Sequence, residues 1–291
     1  MKNFKKIAIY SSKKDKSVSQ IALQVAEILQ SHNIKILVAR SSTLSEKSFK
    51  NLYSDSYILK NADLVIAIGG DGTLLSAARL FGSRGLPLLG INLGDLGFLT
   101  DIPPSELTKS INNILKGDFL QDKRIFLNAS LEKGNRRGLA LNEAVIHSGS
   151  VAQLIDYELH INEEFVYRQK ADGIIVSTPT GSTGYALSGN GPILHPNVKG
   201  IILLPMFPHT LNSRPLIIDD EAKIRISVVG KRRAMLSLDS HNLMDIRKGT
   251  DILIEKSPVE LNLIHPLDHD FFSASRNKLG WSLDYSKKKE T

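Results

Sequence analysis

The sequence predicts two domains of different grammar: an α/β N-terminal domain with a parallel sheet over residues 1–118, and a β-rich domain over 119–268. Up to Gly117, short apolar runs alternate with segments whose apolar residues recur at helical spacing. That alternation predicts a parallel sheet with right-handed crossovers. Beyond Gly117, strand-like runs follow one another with turn residues between them, and helical spacing almost disappears. The chain has 291 residues, 42% of them hydrophobic, enough for one or two substantial cores. Residues 269–291 are expected to return to the first domain, with a short helix over 271–281.

The elements follow in order. A strand over 6–11 leads to an amphipathic helix over 17–31, with Ile21, Val25, Ile28 and Leu29 on one face, and then to a strand over 34–39. The polar stretch from 41 to about 60 is poor in apolar residues and expected to be mobile. Residues 63–69 are almost wholly apolar and end in Gly69 and Gly70, as a strand buried on both faces should. Helical spacing runs from Thr73 through Leu74, Leu75, Ala78, Leu80 and Phe81 and stops at Gly82. A strand over 86–92 and a helix over 105–115 complete a Rossmann-like domain. Beyond it, strands are expected over 124–131, 139–147, 154–161, 164–168, 173–177, 200–204, 216–218, 223–229, 235–238 and 251–255. Gly134-Asn135 and Asn162-Glu163 have the composition of hairpin tips.

Composition narrows the classes. The chain has no cysteine, which excludes disulfides and thiolate metal sites. Its eight histidines are scattered and no H-E-x-x-H pair occurs. No signal peptide precedes the first strand and no apolar run approaches a membrane span, so a cytoplasmic protein without a membrane partner is expected. The net charge of +7 gathers largely in Lys2, Lys5, Lys6, Lys13, Lys14 and the lysines at 287–289. Neither a nucleic-acid motif nor an aromatic platform accompanies it, so a small anionic ligand is expected rather than nucleic acid.

The chemistry centres on Gly69-Gly70-Asp71-Gly72-Thr73. A strand, a glycine turn and a helix start put backbone amides and a helix N-terminus where anions bind. Gly69, Gly70, Gly72 and Thr73 are the candidate phosphate-donor loop, with Asp71 at its tip. No lysine follows, as the phosphate-binding loop of nucleotide hydrolases requires, and the third glycine of the dinucleotide fingerprint is missing. A carboxylate here repels a bare phosphate. It makes sense if a cation, or a hydroxyl about to be phosphorylated, lies between them. An ordinary Asp-Gly turn has the same residues.

Three stretches of the second domain stand out. Asn142-Glu143 interrupts an apolar run, and burying both without partners would cost on the order of several kcal/mol. Either a strand end exposes them, or they face a cleft and accept hydrogen bonds from ligand hydroxyls. From Lys170 and Asp172 a buried strand runs into Thr178-Pro179-Thr180-Gly181-Ser182-Thr183-Gly184-Tyr185-Ala186-Leu187-Ser188, a hydroxyl-rich glycine turn before a helix start. Such a turn suits phosphate and ribose, or serves only as a turn. Tyr185 either stacks on a base or packs in the core. Residues 208–216 are polar and turn-rich, and spacing alone makes them and His209 structural.

Together these segments, with Asn262-Leu263-Ile264-His265-Pro266 and Lys278-Leu279-Gly280-Trp281, resemble the NAD kinase family, nearly the whole chain in the family's order. The glycine–aspartate motif is shared with lipid kinases and phosphofructokinases, but its combination with Asn-Glu and T-P-T-G-S-T-x-Y is specific. The resemblance implies transfer of a terminal phosphate from ATP or polyphosphate to the 2′-hydroxyl of the adenosine ribose of NAD, with a divalent cation, Mg²⁺. It implies Asp71 as general base and Gly72 against NAD. Asn142 and Glu143 would contact nucleotide hydroxyls or amino groups, and Lys170 would lie near phosphate. Asp172 would hold the other nucleoside, in the same pocket as Thr183, Gly184, Tyr185 and Ser188. Thr180, Ala186, Leu187 and His241 join this substrate-binding set. No direct metal ligand is identified, so the cation is expected on the donor phosphates. A homodimer or homotetramer is implied. The sequence departs from the family pattern at Gly184, commonly alanine, at Ser76 and Gln153, often basic, and at His241, commonly glutamine. A lipid kinase would lack the Asn-Glu and threonine-rich motifs, and a non-catalytic nucleotide sensor would not need Asp71.

Overall fold

The computed structural model describes residues 4–44, 49–94, 97–133, 136–149, 153–210, 212–230, 233–246 and 249–281. The hairpin tip expected at Gly134-Asn135 and the terminal lysines at 287–289 lie outside the described residues. The chain divides into two compact units, one of residues 1–123 with 261–291 and one of 124–260. These divisions fall within two long strands, over Leu120–Leu131 and Asp251–His265, about five and eight residues from the expected boundaries at 118 and 268.

In chain order the first unit contains β1 (Lys6–Tyr10), α1 (Lys16–Ser31), β2 (Lys35–Ala39), β3 (Leu52–Tyr53), α2 (Asp55–Asn61), β4 (Leu64–Gly69), α3 (Asp71–Leu80), β5 (Leu88–Asn92) and α4 (Leu107–Lys116). The strand β6 (Leu120–Leu131) leads into the second unit. There follow β7 (Arg137–Ala140), β8 (Glu143–His147), β9 (Ile155–Ile161), β10 (Glu164–Ala171), β11 (Gly173–Ser177) and α5 (Tyr185–Ser188). Next come β12 (Ile201–Met206), β13 (Leu216–Ile218), β14 (Ile224–Val228), β15 (Ala234–Leu238) and β16 (Asn242–Ile246). The strand β17 (Asp251–His265) returns to the first unit, which ends with α6 (Phe271–Leu279).

The first unit is a parallel sheet. Its order is β3, β2, β1, β4, β5 and then the end of β17, whose Leu263 and Ile264 pair with Leu88 and Leu89. Every residue of β4 is buried, which accounts for its unbroken apolar sequence. On α1, Val18, Ala22, Val25, Ala26 and Leu29 are buried at helical spacing. They share a core with Ile7, Ile9, Ile66 and Ile68 of the sheet and Ile111 and Ile114 of α4.

In the second unit β13, β12, β11, β8, β15 and β16 form an antiparallel sheet. The strands β10, β9 and β14 and the start of β17 are also antiparallel. One core joins inward side chains of both sets, among them Ile174, Val176, Leu203 and Leu236 with Tyr157, Leu159 and Ile226. The alternate residues Val145, Ile175, Ile202 and Leu204 pack on the opposite face with Ala186 of α5. Between β9 and β10, Asn162 and Glu163 form a tight turn with φ of 50° and 66°, the left-handed pair that matches strand twist in two-residue hairpins. Among the described residues no helix is long and apolar enough to cross a membrane.

The stretch from 41 to 60, expected to be mobile, contains β3 and α2 where it is described. Its order comes from few contacts. Ser54 caps the helix, accepting from the Tyr57 N–H, and Ile58 is its one buried side chain. Val38 and Ala39 pair with Leu52 and Tyr53. Ile58 is fully buried, so Ile58→Ala should lower unfolding free energy by about 2–5 kcal/mol. Urea denaturation of the purified variant measures this.

Candidate active site

Each unit carries one carboxylate motif. In the first, β1 and β4 are neighbours, and the chain proceeds outward through β2 and β3 on one side and through β5 on the other. The winding reverses between β1 and β4, where open α/β sheets hold ligands beyond their C-terminal strand ends. Gly69 ends β4 there and α3 begins at Asp71. The glycines of this turn differ in what they answer to. A Cβ on Gly69 would collide with the Thr73 side chain, so that glycine is required by the protein itself. A Cβ on Gly70 or Gly72 would meet nothing within 4 Å. Those two leave room for something the chain does not supply.

Asp71 turns its carboxylate toward the loop that follows β5. Its Oδ1 accepts from the Leu99 N–H at 3.1 Å, the Thr100 N–H at 3.2 Å and the Thr100 hydroxyl at 3.1 Å. Its Oδ2 accepts the Phe98 N–H at 3.0 Å. Lys278 of α6 lies 3.7 Å from Oδ2, outside hydrogen-bond distance, with its ammonium 5.3 Å from the Phe98 ring centroid. A Cβ at Gly97 would strike both Asp71 and Thr100, which is why the loop can approach so closely. Ser76, where the family often has a basic residue, is buried and hydrogen-bonded to the Tyr10 hydroxyl at 2.7 Å.

In the second unit Asn142 and Glu143 sit at the entry to β8, on the edge of the core. The turn between β15 and β16 brings Asp239 beneath them. Its carboxylate accepts the N–H groups of Leu141 and Asn142, each at 2.8 Å, and of Glu143 at 3.1 Å. The turn also carries His241, whose Nδ1 lies 2.7 Å from the Asp239 carbonyl. Glu143 is only 4% exposed. Burial, reinforced by the Asp239 charge and opposed by the Tyr185 N–H, pushes its carboxyl up to about 7. The Oε2 of Glu143 and the Oδ1 of Asn142 are buried without a hydrogen-bond partner.

The hydroxyl-rich loop divides into two parts. Thr178, Thr180 and Ser182 are buried and used internally. Thr178 donates its hydroxyl to the Leu141 carbonyl at 2.6 Å, Arg124 donates to Thr180, and Ser182 donates to the Pro179 carbonyl at 2.6 Å. Ala186 is buried as well, whereas Tyr185 and Ser188 are exposed and Thr183, Gly184 and Leu187 half-buried. Tyr185 and Ser188 border a cavity of about 570 Å³ walled by Leu204, Met206, Pro208 and Arg214. A Cβ on Gly184 would lie 3.0 Å from Asn142 Nδ2 and 3.2 Å from Glu143 Oε2. The glycine therefore gives the Asn-Glu pair slightly more room than alanine would.

Lys170 and Asp172 are elsewhere. They precede β11, whereas Glu143 pairs with Ser177 at its other end. Five residues of strand separate the two groups by about 16 Å. Lys170 accepts the His209 N–H at its carbonyl, and the Asp172 N–H is donated to the Met206 carbonyl. Asp172 is bonded through its backbone to Met206, which walls the cavity that Tyr185 and Ser188 border.

Comparison with known proteins covers both units. The ATP-NAD kinase N-terminal domain model matches residues 7–119, and the ATP-NAD kinase C-terminal domain model matches 141–266. The chain belongs to the NAD kinase family. Membership makes it an enzyme that phosphorylates NAD. The NAD kinase of Saccharophagus degradans is 40% identical over 265 residues, covering 89% of this chain and 90% of that one. That of Marinobacter nauticus is 38% identical over 289 residues, covering 97% and 98%. Among solved structures, yeast NADH kinase complexed with NADH aligns with a TM-score of 0.89 at 24% identity, over 100% of this chain and 91% of that one. An NAD kinase from Archaeoglobus fulgidus in complex with ATP aligns at 0.73 and 27% identity, over 94% and 97%.

Sequence reasoning missed Asp239, Lys278's proximity to Asp71, and the Phe98–Thr100 amides. Only the glycine at 97, directly after an Asp-Leu pair, hinted at a tight loop. Asp239 holds three amides at once, so Asp239→Ala should destabilise the protein by about 3–5 kcal/mol, since buried donors lose a charged acceptor. In Asp239→Asn, NMR titration should find the Glu143 carboxyl below its wild-type value, because one of the two causes raising it is gone.

Proposed function

We propose that the chain transfers the terminal phosphate of ATP, or of polyphosphate, to the 2′-hydroxyl of the adenosine ribose of NAD, with Asp71 as general base. The observation that carries this reading is the occupancy of the Asp71 carboxylate. Two carboxylate oxygens offer about four lone-pair sites. Oδ1 is saturated by three donors, while Oδ2 accepts only the Phe98 N–H. Oδ2 thus keeps a lone pair, in a carboxylate that cannot rotate away. As the new P–O bond forms, the 2′-hydroxyl proton passes to Oδ2 and the donor's bridging P–O bond breaks, releasing ADP from ATP or the shortened chain from polyphosphate. Phosphoryl transfer has a loose transition state, so positioning matters more than base strength. Gly70 and Gly72 let backbone approach the reacting groups without side chains intervening.

Asp71 has four donors on its two oxygens and one lone pair kept for the hydroxyl proton, so a cation would be held chiefly by the donor phosphates rather than by a protein cage. A divalent cation such as Mg²⁺, carried there by the donor phosphates, would supply charge neutralisation on the transferring group. Asn142 and Glu143 receive nucleotide hydroxyls or amino groups on their unpaired oxygens, and Tyr185 stacks on a base, with Thr183, Gly184 and Ser188 beside it. Thr180, Ala186 and Leu187 support this surface from below, and His241 helps through the turn that holds Asp239. Lys170 and Asp172 reach the nucleotide from a second chain of a homodimer or homotetramer. Support comes from edge strands with exposed apolar side chains, Leu216 and Ile217 on β13 and Leu243 on β16.

The deciding assay mixes the protein with NAD, ATP and Mg²⁺ and follows NADP with an NADP-specific dehydrogenase, then repeats it with polyphosphate. Asp71→Asn should lower kcat about 10²–10⁴-fold while NAD affinity, measured by calorimetry, stays nearly unchanged. Near-normal turnover would remove Asp71 from the base role. A second expectation follows from Glu143. Ribose hydroxyls donate best to an ionised carboxylate, so NAD affinity should tighten as pH rises through about 7. Glu143→Gln should flatten that dependence, and a slope of equal size in the variant would assign it to another group.

A further inference from the structure

His265 ends β17 beside β5, and the turn over Pro266–His269, closed by the His269 N–H to the Pro266 carbonyl, brings a second imidazole back over the first. The rings stack with centroids 3.9 Å apart and planes 16° from parallel. Both Nδ1 atoms point at one oxygen. His265 Nδ1 is 2.8 Å and His269 Nδ1 2.7 Å from Asp101 Oδ2. The three ligating atoms lie within 4.8 Å of one another. Two atoms of the group are buried without a hydrogen-bond partner, Asp101 Oδ1 and His265 Nε2. None of these residues belongs to the machinery described for phosphoryl transfer.

We infer that Asp101, His265 and His269 form a binding site for one divalent transition-metal ion of zinc's class, separate from the cation on the donor phosphates. Two imidazoles four positions apart, in H-x₃-H spacing, with a carboxylate from another segment, are a zinc donor set, and imidazole nitrogen discriminates against Mg²⁺. Bond lengths of about 2.0–2.2 Å require the ion to take the place of the two shared protons, with a small rotation of the Asp101 carboxylate toward its unpaired oxygen. The far nitrogen of His265 faces Asp122 Oδ2 at 3.7 Å. A neutral imidazole presents a proton on one side and a lone pair on the other, so without an added charge one carboxylate meets a lone pair. A metal on Nδ1 leaves Nε2–H for Asp122, the outer carboxylate typical of histidine ligands. An entry path exists, since His269 and Asp101 side chains are 15% and 13% exposed while His265 is 1%.

The position gives the ion a structural task. Asp101 directly follows Thr100, whose amide and hydroxyl hold Asp71, and His269 precedes α6, which carries Lys278. One ion would brace both segments.

Calorimetric titration of chelator-treated full-length protein with ZnCl₂, without nucleotide, tests this. One ion per chain at micromolar affinity or tighter is expected, with a rise in melting temperature of a few degrees. His269→Ala should weaken binding at least tenfold. His269→Tyr, which keeps a ring and a donor for Asp101 but no nitrogen ligand, should do the same while remaining folded by circular dichroism. Asp71→Asn should bind zinc as the wild type does, and bound Co²⁺ should show visible absorption that His269→Tyr lacks. No zinc binding by the wild type, equal binding by the His269 variants, or loss of the site in Asp71→Asn would each overturn the inference and leave a hydrogen-bonded clamp only.

Discussion

Asp71 is half-buried, and the first unit supplies its carboxylate with donors from a loop distant in sequence. Its two oxygens collect three amides and a hydroxyl from Phe98, Leu99 and Thr100. That demand fixes the course of the loop after β5 and requires a residue without a side chain at 97. It also links three distant parts of the chain, since β4 delivers Asp71, β5 delivers the amides, and α6 brings Lys278 to 3.7 Å. A helix-capping aspartate would have spent its lone pairs on the first turn of α3. Here the N-cap residue is Gly70, with no side-chain bond, and the helix N-terminus stays available for an anion.

The second unit repeats the device for another purpose. Asp239 takes three consecutive amides from Leu141 to Glu143, which pins the backbone and leaves the Asn-Glu side chains unable to bond with it. The cost is visible. Glu143 is buried close to a second carboxylate, and two acceptor oxygens have no partner. Each unpaired buried acceptor costs about 1–3 kcal/mol, which a globular protein seldom tolerates without a reason. A ligand that donates two hydrogen bonds at this point recovers that free energy on binding, and one that lacks the donors does not. Affinity and selection for a hydroxylated nucleotide then have the same origin.

Local pattern made much of this legible. The apolar run of β4, the glycines after it and the helical spacing beyond them define strand, turn and helix because each depends on neighbours in sequence. Asn142-Glu143 was visible as two polar residues in an apolar run. What stayed hidden depends on contacts across many residues. Asp239 lies 96 positions or more from the amides it serves, and Asp-Ser-His looks like any turn. The helix α2 rests on one buried isoleucine in a polar stretch, too little apolar signal to separate from a loop. The identity of Thr178, Thr180 and Ser182 as internal braces was also illegible, since a hydroxyl facing a carbonyl and one facing a ligand have the same letter.

The placement of Lys170 and Asp172 shows how an extended strand spreads out a stretch that is contiguous in sequence. They stand in sequence just before the hydroxyl-rich loop, yet β11 is extended, and an extended strand carries its ends apart at about 3.3 Å per residue. Residues at its two ends therefore lie about 16 Å apart. On the proposed reading, a nucleotide resting on Tyr185 and the Asn-Glu pair meets the Asp172 of another copy. The exposed apolar side chains on β13 and β16 give such a copy edges to cover. On the proposed reading, dilution to monomers is felt first in NAD affinity and only secondarily in turnover.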